Sequence, residues 1–238
     1  MPNCVFQFKQ FAVWSHIGGF KVGTDAVLLG AWADVSRSNS ILEIGTGTGV
    51  IAMMMAQRTQ ASITAVELDV NAASQAEYNF QRSSFGGLRV KNEAIQDFAG
   101  SSEEKYDHVV CNPPFFQSSS KPDSDTLQKA KHTDSLDPSE LMACSARLTN
   151  EDARLSLVVP FSDLQLWIES AQSSGFYPTR KLLVRPAPEF DFKRVLIEFE
   201  KSQGPCIEQE ITLEEGESEN RTYTVRFQEM MKEYYIRF

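Results

Sequence analysis

The chain has 238 residues, 42% of them hydrophobic, enough for one α/β domain with a sizeable buried core. No apolar stretch approaches the roughly 18–20 residues of a bilayer span, and residues 1–9 lack the charged start and apolar run of a signal peptide, so a cytoplasmic, membrane-free chain is expected. The net charge of −9 weighs against a nucleic-acid partner, because neutralising phosphate takes a basic face.

Val5, Phe6, Phe8, Phe11 and Val13 set apolar side chains at close intervals, as in a short hairpin or strand. Thr24 or Asp25 is placed to cap an apolar helix over residues 26–33. A polar break at 36–40 then ends an N-terminal extension of about residues 1–36. From there strands and helices alternate: strand 40–45, helix 49–58, strand 62–67, helix 70–83, then strands 88–92 and 106–111. Residues 117–133 carry no periodicity and fit a long loop. Asp137 as N-cap, Pro138 at the first helical position and Glu140 at the third begin a helix that runs to about Leu148. Strand 154–159, helix 162–173 and strands 179–185 and 192–200 follow, the last two in hairpin-like fashion. With no repeat and no second core, a single domain over residues 1–238 is expected.

This alternation predicts a doubly wound, mainly parallel α/β sheet with helices on both faces. Its ligand belongs at the carboxyl ends of the strands, near the switch in strand order. Three segments converge there: residues 43–49, Glu67, and the tetrapeptide Asn112-Pro113-Pro114-Phe115.

Gly45, Gly47 and Gly49 let the backbone turn tightly and approach a ligand where a Cβ would intrude, and the helix that follows favours a carboxylate at its start. Glu67, 18 residues beyond Gly49, can accept both hydroxyls of a ribose. A dinucleotide dehydrogenase would use the same parts. The Gly-x-Gly-x-Gly spacing nevertheless differs from the pyrophosphate-binding Gly-x-Gly-x-x-Gly, and Glu43 would repel phosphate while suiting the ammonium of a methionine moiety. Ala94 follows the third strand, where a carboxylate often meets adenine; here that contact falls to backbone or to Asp97.

The tetrapeptide lies about sixty residues further on. The lone pair of an aryl amine or amide nitrogen is delocalised, which makes it a poor nucleophile. The Asn112 side-chain oxygen and the Pro113 carbonyl can each accept one of its N–H groups, aim the lone pair at an electrophile, and stabilise the positive charge that develops. Pro113 and Pro114 stiffen the loop and remove competing donors. Phe115 offers a face to a planar base, and Phe116 a second wall. With the glycine turn upstream, the pair of motifs points to methyl transfer from S-adenosylmethionine onto an amino nitrogen.

Cys4, Cys111, Cys144 and Cys206 show no spacing suited to zinc or to a redox motif. They are expected as buried free thiols, with no metal. Eight acidic residues and one lysine between Glu198 and Glu219 hold −7 of the net charge, leaving −2 elsewhere and room for a basic patch. Lys129, Lys131 and His132 on the long loop could meet RNA phosphate, or could be plain solvent-exposed loop.

The runs Lys21-Val22-Gly23-Thr24-Asp25 and Leu28-Leu29-Gly30-Ala31-Trp32, residues 42–49, Val66-Glu67-Leu68-Asp69, the 112–115 tetrapeptide and Lys131-His132-Thr133-Asp134-Ser135-Leu136 resemble class I S-adenosylmethionine-dependent methyltransferases. More narrowly, they are similar to the bacterial valine-tRNA adenine-37 N6-methyltransferase family, a likeness running from about Phe8 to the C-terminus. The resemblance implies a seven-stranded sheet with an antiparallel last strand and methylation of adenine N6 beside the anticodon of tRNA. It also implies that Thr24 helps hold the methionine end of the cofactor and that residues 112–115 hold the amine. A monomer or weak homodimer is expected. A guanine-N2 methyltransferase of ribosomal RNA or a glutamine-N5 methyltransferase of protein could use the same tetrapeptide. A non-catalytic RNA-binding module is a third possibility, against which the intact Asn112 and glycine turn argue.

Overall fold

A computed structural model describes residues 5–17, 21–114, 136–217 and 220–238. Strands β1 (Val5–Gln7) and β2 (Ala12–Trp14) pair as an antiparallel hairpin, followed by α1 (Thr24–Trp32). Then β3 (Ser40–Ile44), α2 (Val50–Ala56), β4 (Ser62–Glu67), α3 (Val70–Arg82), β5 (Leu88–Asn92), α4 (Ile95–Ser101) and β6 (Tyr106–Cys111) alternate. After α5 (Pro138–Leu148) come β7 (Thr149–Pro160), α6 (Leu164–Ser173), β8 (Tyr177–Arg185), β9 (Arg194–Glu200) and β10 (Ile207–Thr212). The short pair β11 (Glu214–Glu215) and β12 (Thr222–Tyr223) leads into α7 (Val225–Met231).

Local chemistry explains most of these boundaries. Asp69 caps α3 by accepting the Asn71 and Ala72 N–H groups at 2.9 and 2.8 Å. Asp137 does the same for α5 through Ser139 N–H at 2.8 Å, with Pro138 in the first turn. At α1 the expected cap is displaced: extended Gly23 occupies the N-cap without a side-chain bond. Thr24 and Asp25 lie inside the first turn, where the Asp25 carboxylate accepts from Arg194 Nε at 2.8 Å. Helix α4 was not foreseen, because seven residues give too short a window for periodicity. Nor was β10, whose glutamates hide its strand pattern.

The eight-stranded sheet has the order β10-β8-β9-β7-β6-β3-β4-β5. Strands β3 to β9 are the seven expected, and only β9 runs antiparallel to its neighbours. The eighth, β10, extends the β8 edge in parallel. Here the acidic run finds its place: Glu208 pairs with Lys181 and Glu210 with Arg185, both at 2.6 Å, and charge along an edge discourages pairing with another chain.

Apolar residues on one sheet face pack under α1, α2, α3, α7 and the hairpin; those on the other pack under α4, α5 and α6. Gly30 lets α1 rest on α2, since a Cβ there would lie 2.9 Å from Met54 Sδ. Of the thiols expected to be buried, Cys111 is, whereas Cys144 is half-buried and Cys206, just before the sheet edge, is exposed; Cys4 lies outside the described residues. No described helix is long and apolar enough to cross a membrane.

At the amino end of the central strands a buried polar cluster sits under α1. The Arg154 guanidinium meets Asp34 at 3.1 Å, and Arg180 meets Glu198 at 3.1 Å while lying 4.0 Å from the Trp32 ring centroid. Ser156 Oγ donates to Glu198 at 3.1 Å, so it accepts from His108 Nε2 at 2.8 Å, which fixes the neutral tautomer. Desolvation, reinforced by the Arg154 charge, lowers the His108 pKa to about 3. The folded state therefore refuses a proton that the unfolded chain accepts below pH 6.5, and stability falls as pH drops from about 6.5 toward 3. Comparing urea unfolding of the wild type and His108→Gln at several pH values should show the wild type losing up to ~1.4 kcal/mol more per pH unit between pH 6 and 4. Parallel slopes would contradict this account of the histidine.

Candidate active site at the carboxyl rim of the sheet

Strand β3 lies between β6 and β4, and Ile44 pairs with Cys111 on one side and Val66 on the other. One residue further, Asn112, Gly45 and Glu67 stand side by side at the ends of three parallel strands. Neighbouring strands are ~4.8 Å apart, so this row is about 10 Å wide. It is the crevice in which an open α/β sheet binds its ligand.

The turn after β3 depends on three left-handed residues: Gly45 at φ 71°, Gly47 at 56° and Gly49 at 80°. Gly45 N–H donates to the Val66 carbonyl at 2.8 Å and Gly49 N–H to Thr46 at 2.9 Å, closing the loop on itself. The three glycines are not equivalent. A Cβ at Gly49 would lie 2.5 Å from the Phe80 ring, whereas one at Gly45 or Gly47 would meet nothing within 4 Å. Gly49 thus serves packing, and the other two face open space.

Glu43 shares the parity of Ile41 and faces the side of the sheet covered by α1 and α2. It is completely buried. Its Oε2 accepts from Thr46 Oγ1 at 2.7 Å, while Oε1 has no hydrogen-bond partner. Burial, opposed by the Thr46 hydroxyl and by the approach of the Ala52 backbone N–H and aided by the nearby Glu67 charge, pushes this carboxyl up to about 8. Left alone the carboxyl is therefore mostly protonated at neutral pH, and a cation placed beside it would draw it back to the ionised form. Glu67 is half-buried and braces the turn: Oε2 accepts from Gly47 N–H at 2.9 Å and Oε1 from Asp69 N–H at 3.0 Å. Each of its oxygens keeps a second lone pair for a hydroxyl. Asn92 Nδ2 holds the next loop through the Glu67 and Leu68 carbonyls at 2.9 and 3.0 Å.

Across β3, Asn112 is partly exposed, but its Oδ1 is shielded from solvent and has no partner among the described residues. Pro113 is buried and Pro114 exposed. The chemistry available is that of two oxygen acceptors beside a glycine-lined space. Phe115, Phe116, Lys129, Lys131 and His132 lie outside the described residues.

Two further candidates sit on the flanks. Thr24 opens α1, tied to the same rim because Arg194, the partner of Asp25, pairs in register with Pro160 at the end of β7. Asp97 is exposed in the first turn of α4, beyond β5, with Ala94 at the N-cap. Thr46 and Asn92 were missed, although a hydroxyl three residues after a buried acid was a usable signal. Asn79 was also missed. From α3 it accepts Trp14 N–H at 2.9 Å and donates to the Trp14 and Thr48 carbonyls at 2.9 and 2.8 Å, lashing the N-terminal segment to the glycine turn. No local motif could have announced that bond.

The unequal glycines give an expected outcome. Gly49→Ala combines a left-handed backbone with a ring clash and should cost about 3 kcal/mol, against about 1 kcal/mol for Gly45→Ala, measured by chemical denaturation. Equal losses would mean that Phe80 yields freely.

Residues 8–133 match the family model described as Methyltransferase small domain. The chain is also similar to proteins named tRNA1(Val) (adenine(37)-N6)-methyltransferase. That of Trichodesmium erythraeum (strain IMS101) is 38% identical over 237 residues, covering 98% of each chain. That of Bacteroides fragilis (strain ATCC 25285) is 40% identical over 241 residues, covering 100% of each. Among solved structures, a predicted O-methyltransferase of Agrobacterium tumefaciens superposes with a TM-score of 0.68 at 18% identity, over 88% of this chain and 96% of that one. The ribosomal protein L11 methylase of Lactobacillus delbrueckii subsp. bulgaricus gives 0.57 at 14%, over 78% and 83%. Likeness at such identities establishes the class I methyltransferase fold.

Proposed function

We propose, for a chain that belongs to the family of tRNA1(Val) (adenine(37)-N6)-methyltransferases, the transfer of a methyl group from S-adenosylmethionine to N6 of an adenine in tRNA. By that kinship the target is adenine 37 of a valine tRNA. The observation that carries this reading is the unpartnered Asn112 Oδ1 on the same rim as the unpartnered Glu43 Oε1. One oxygen suits an amine donor and the other an ammonium, and the open faces of Gly45 and Gly47 lie between them. The residues fit the cofactor.

When bound, S-adenosylmethionine supplies an electrophilic methyl on a sulfonium. Glu43 would face its ammonium, with Thr24 nearby. Gly45 and Gly47 would form the backbone cradle, with Gly49 closing the turn behind them against Phe80; Glu67 would accept from the ribose hydroxyls and Asp97 would serve the adenine. On the substrate side, Asn112 Oδ1 and the Pro113 carbonyl accept the two N–H bonds of the target amine. That contact turns its lone pair out of conjugation and stabilises the charge that grows on nitrogen. No general base is needed before transfer, because the amine proton becomes acidic only afterwards. Pro114 stiffens the loop, and by the sequence motif Phe115 would offer a face to the base, which must be turned out of the RNA to arrive there. The whole chain acts as one domain, with residues 1–36 as its N-terminal extension.

A labelled-methyl assay on total tRNA, ribosomal RNA and protein, followed by nucleoside analysis, tests the reaction; label in N6-methyladenosine of tRNA is the expected result. Asn112→Ala should lower transfer by roughly 10²-fold or more while cofactor Kd changes less than about twofold. An equal loss of both would contradict the assigned role. Glu67→Ala should instead raise the cofactor Kd by about tenfold, the scale of one charge-assisted hydrogen bond. An unchanged Kd in that variant would rule out the ribose contact.

A further inference from the structure

The ends of β7, β8 and β9 are locked together at the carboxyl rim. Phe161 N–H donates to the Lys193 carbonyl at 3.1 Å, and Lys193 N–H to Val184 at 2.8 Å. Between them opens a cavity of about 560 Å³. Phe161, 40% exposed at the start of a short 3₁₀ turn, and Phe192 form its aromatic wall, with ring centroids 5.7 Å apart. Arg185, Lys193 and Arg194 supply positive charge.

These cations are differently committed. Arg194 is held by Asp25, and the Arg185 guanidinium lies 4.0 Å from the Phe192 centroid while reaching exposed Glu210 at 2.6 Å. Lys193 is exposed and makes no ion pair among the described residues. Asp191 is the carboxylate in the lining; it repels phosphate from its own side and can accept from the amino edge of a base.

The cavity adjoins the candidate amine site. Cys111 pairs with Leu157, so Asn112 stands level with Val158, two residues before Pro160 at the cavity lip. Strand spacing and rise put that lip about 8 Å from Asn112. Turning one base out of an RNA loop leaves its neighbour unstacked, and enzymes that act on an extruded base commonly read the flanking nucleotide. An exposed phenyl beside an uncommitted ammonium matches the two halves of a nucleotide, a π-face and a phosphate.

We propose that this cavity between the β7 end and the β8–β9 turn is the subsite for the nucleotide flanking the methylated adenine. Phe161 stacks on its base, Lys193 holds its phosphate, and Arg185 turns from Glu210 to assist. The assignment rests on the reading of the chain as a tRNA methyltransferase and adds the surface that orients the RNA.

The test uses the full chain, total tRNA and labelled S-adenosylmethionine, with Phe161→Ala, Phe161→Trp and Lys193→Ala. Phe161→Ala and Lys193→Ala should each raise KM for tRNA by roughly tenfold, the loss falling in KM rather than kcat and leaving cofactor Kd unchanged. Phe161→Trp should restore KM, which a purely structural role would not allow. Lys193→Ala should flatten the dependence of log KM on log salt by about 0.7, the share of one phosphate contact. If the wild type methylates tRNA adenine but the alanine variants keep its KM and salt slope, the subsite is overturned and the reaction stands. If the wild type methylates protein or no tRNA adenine, both fall. Should Phe161→Ala prove unfolded by thermal melt, Lys193→Ala and its salt slope decide.

Discussion

Two oxygens, Glu43 Oε1 and Asn112 Oδ1, are held out of water without donors at the ends of adjacent parallel strands. Leaving such an acceptor unsatisfied costs on the order of 1–3 kcal/mol, and the protein tolerates the cost twice, once at the row of strand ends and once two residues inside it on β3. The central strands can sustain it because they are buried on both faces, so the register that aligns Ile44 with Cys111 and Val66 cannot slip without moving every apolar side chain to the wrong layer. The proposed chemistry depends on that fixed register. The residues that meet there are far apart in sequence, and the pairing of β6 with β3 sets their separation to about one strand spacing.

Charge is sorted across the sheet rather than spread over it. The acidic run falls on and around β10, where Glu208 and Glu210 neutralise Lys181 and Arg185 and protect the edge. At the rim beyond β7, β8 and β9, cations and phenyl rings gather around a cavity. A net charge of −9 is therefore compatible with an anionic partner, because the field at a docking face follows local arrangement more than the sum. The two regions meet at Arg185, the last residue of β8, whose guanidinium contacts both Glu210 and Phe192.

The two halves of the proposed site are mechanically joined. Asp25 at the start of α1 grips Arg194 at the start of β9, so the helix that carries Thr24 is anchored to the strand lining the cavity. On the other flank Asn79 ties the N-terminal segment to the glycine turn, and Phe8 bridges to Tyr235 near the C-terminus. The N-terminal extension is thus woven into the face above the cofactor side. The Arg154–Asp34 and Arg180–Glu198 pairs, each with one buried and one partly exposed partner, fix the far end of α1 in the same layer.

The sequence alone determined the fold class, the seven principal strands, the cap at Asp137, and the segments expected to converge. Those features follow from local rules, since hydrophobic period, glycine turns and capping side chains act within a few residues. It did not disclose α4, too short to show a period, or β10, masked by its glutamates, and it placed the α1 cap one or two residues late. Only the tertiary structure decided which oxygens remain unpartnered, which glycine is crowded by Phe80, and where the acidic run goes relative to Arg185, Lys193 and Arg194. The reason is physical: satisfaction, burial and charge pairing are settled by neighbours brought in from distant parts of the chain, such as Asp25 with Arg194 across the sheet, and no short window of residues contains them.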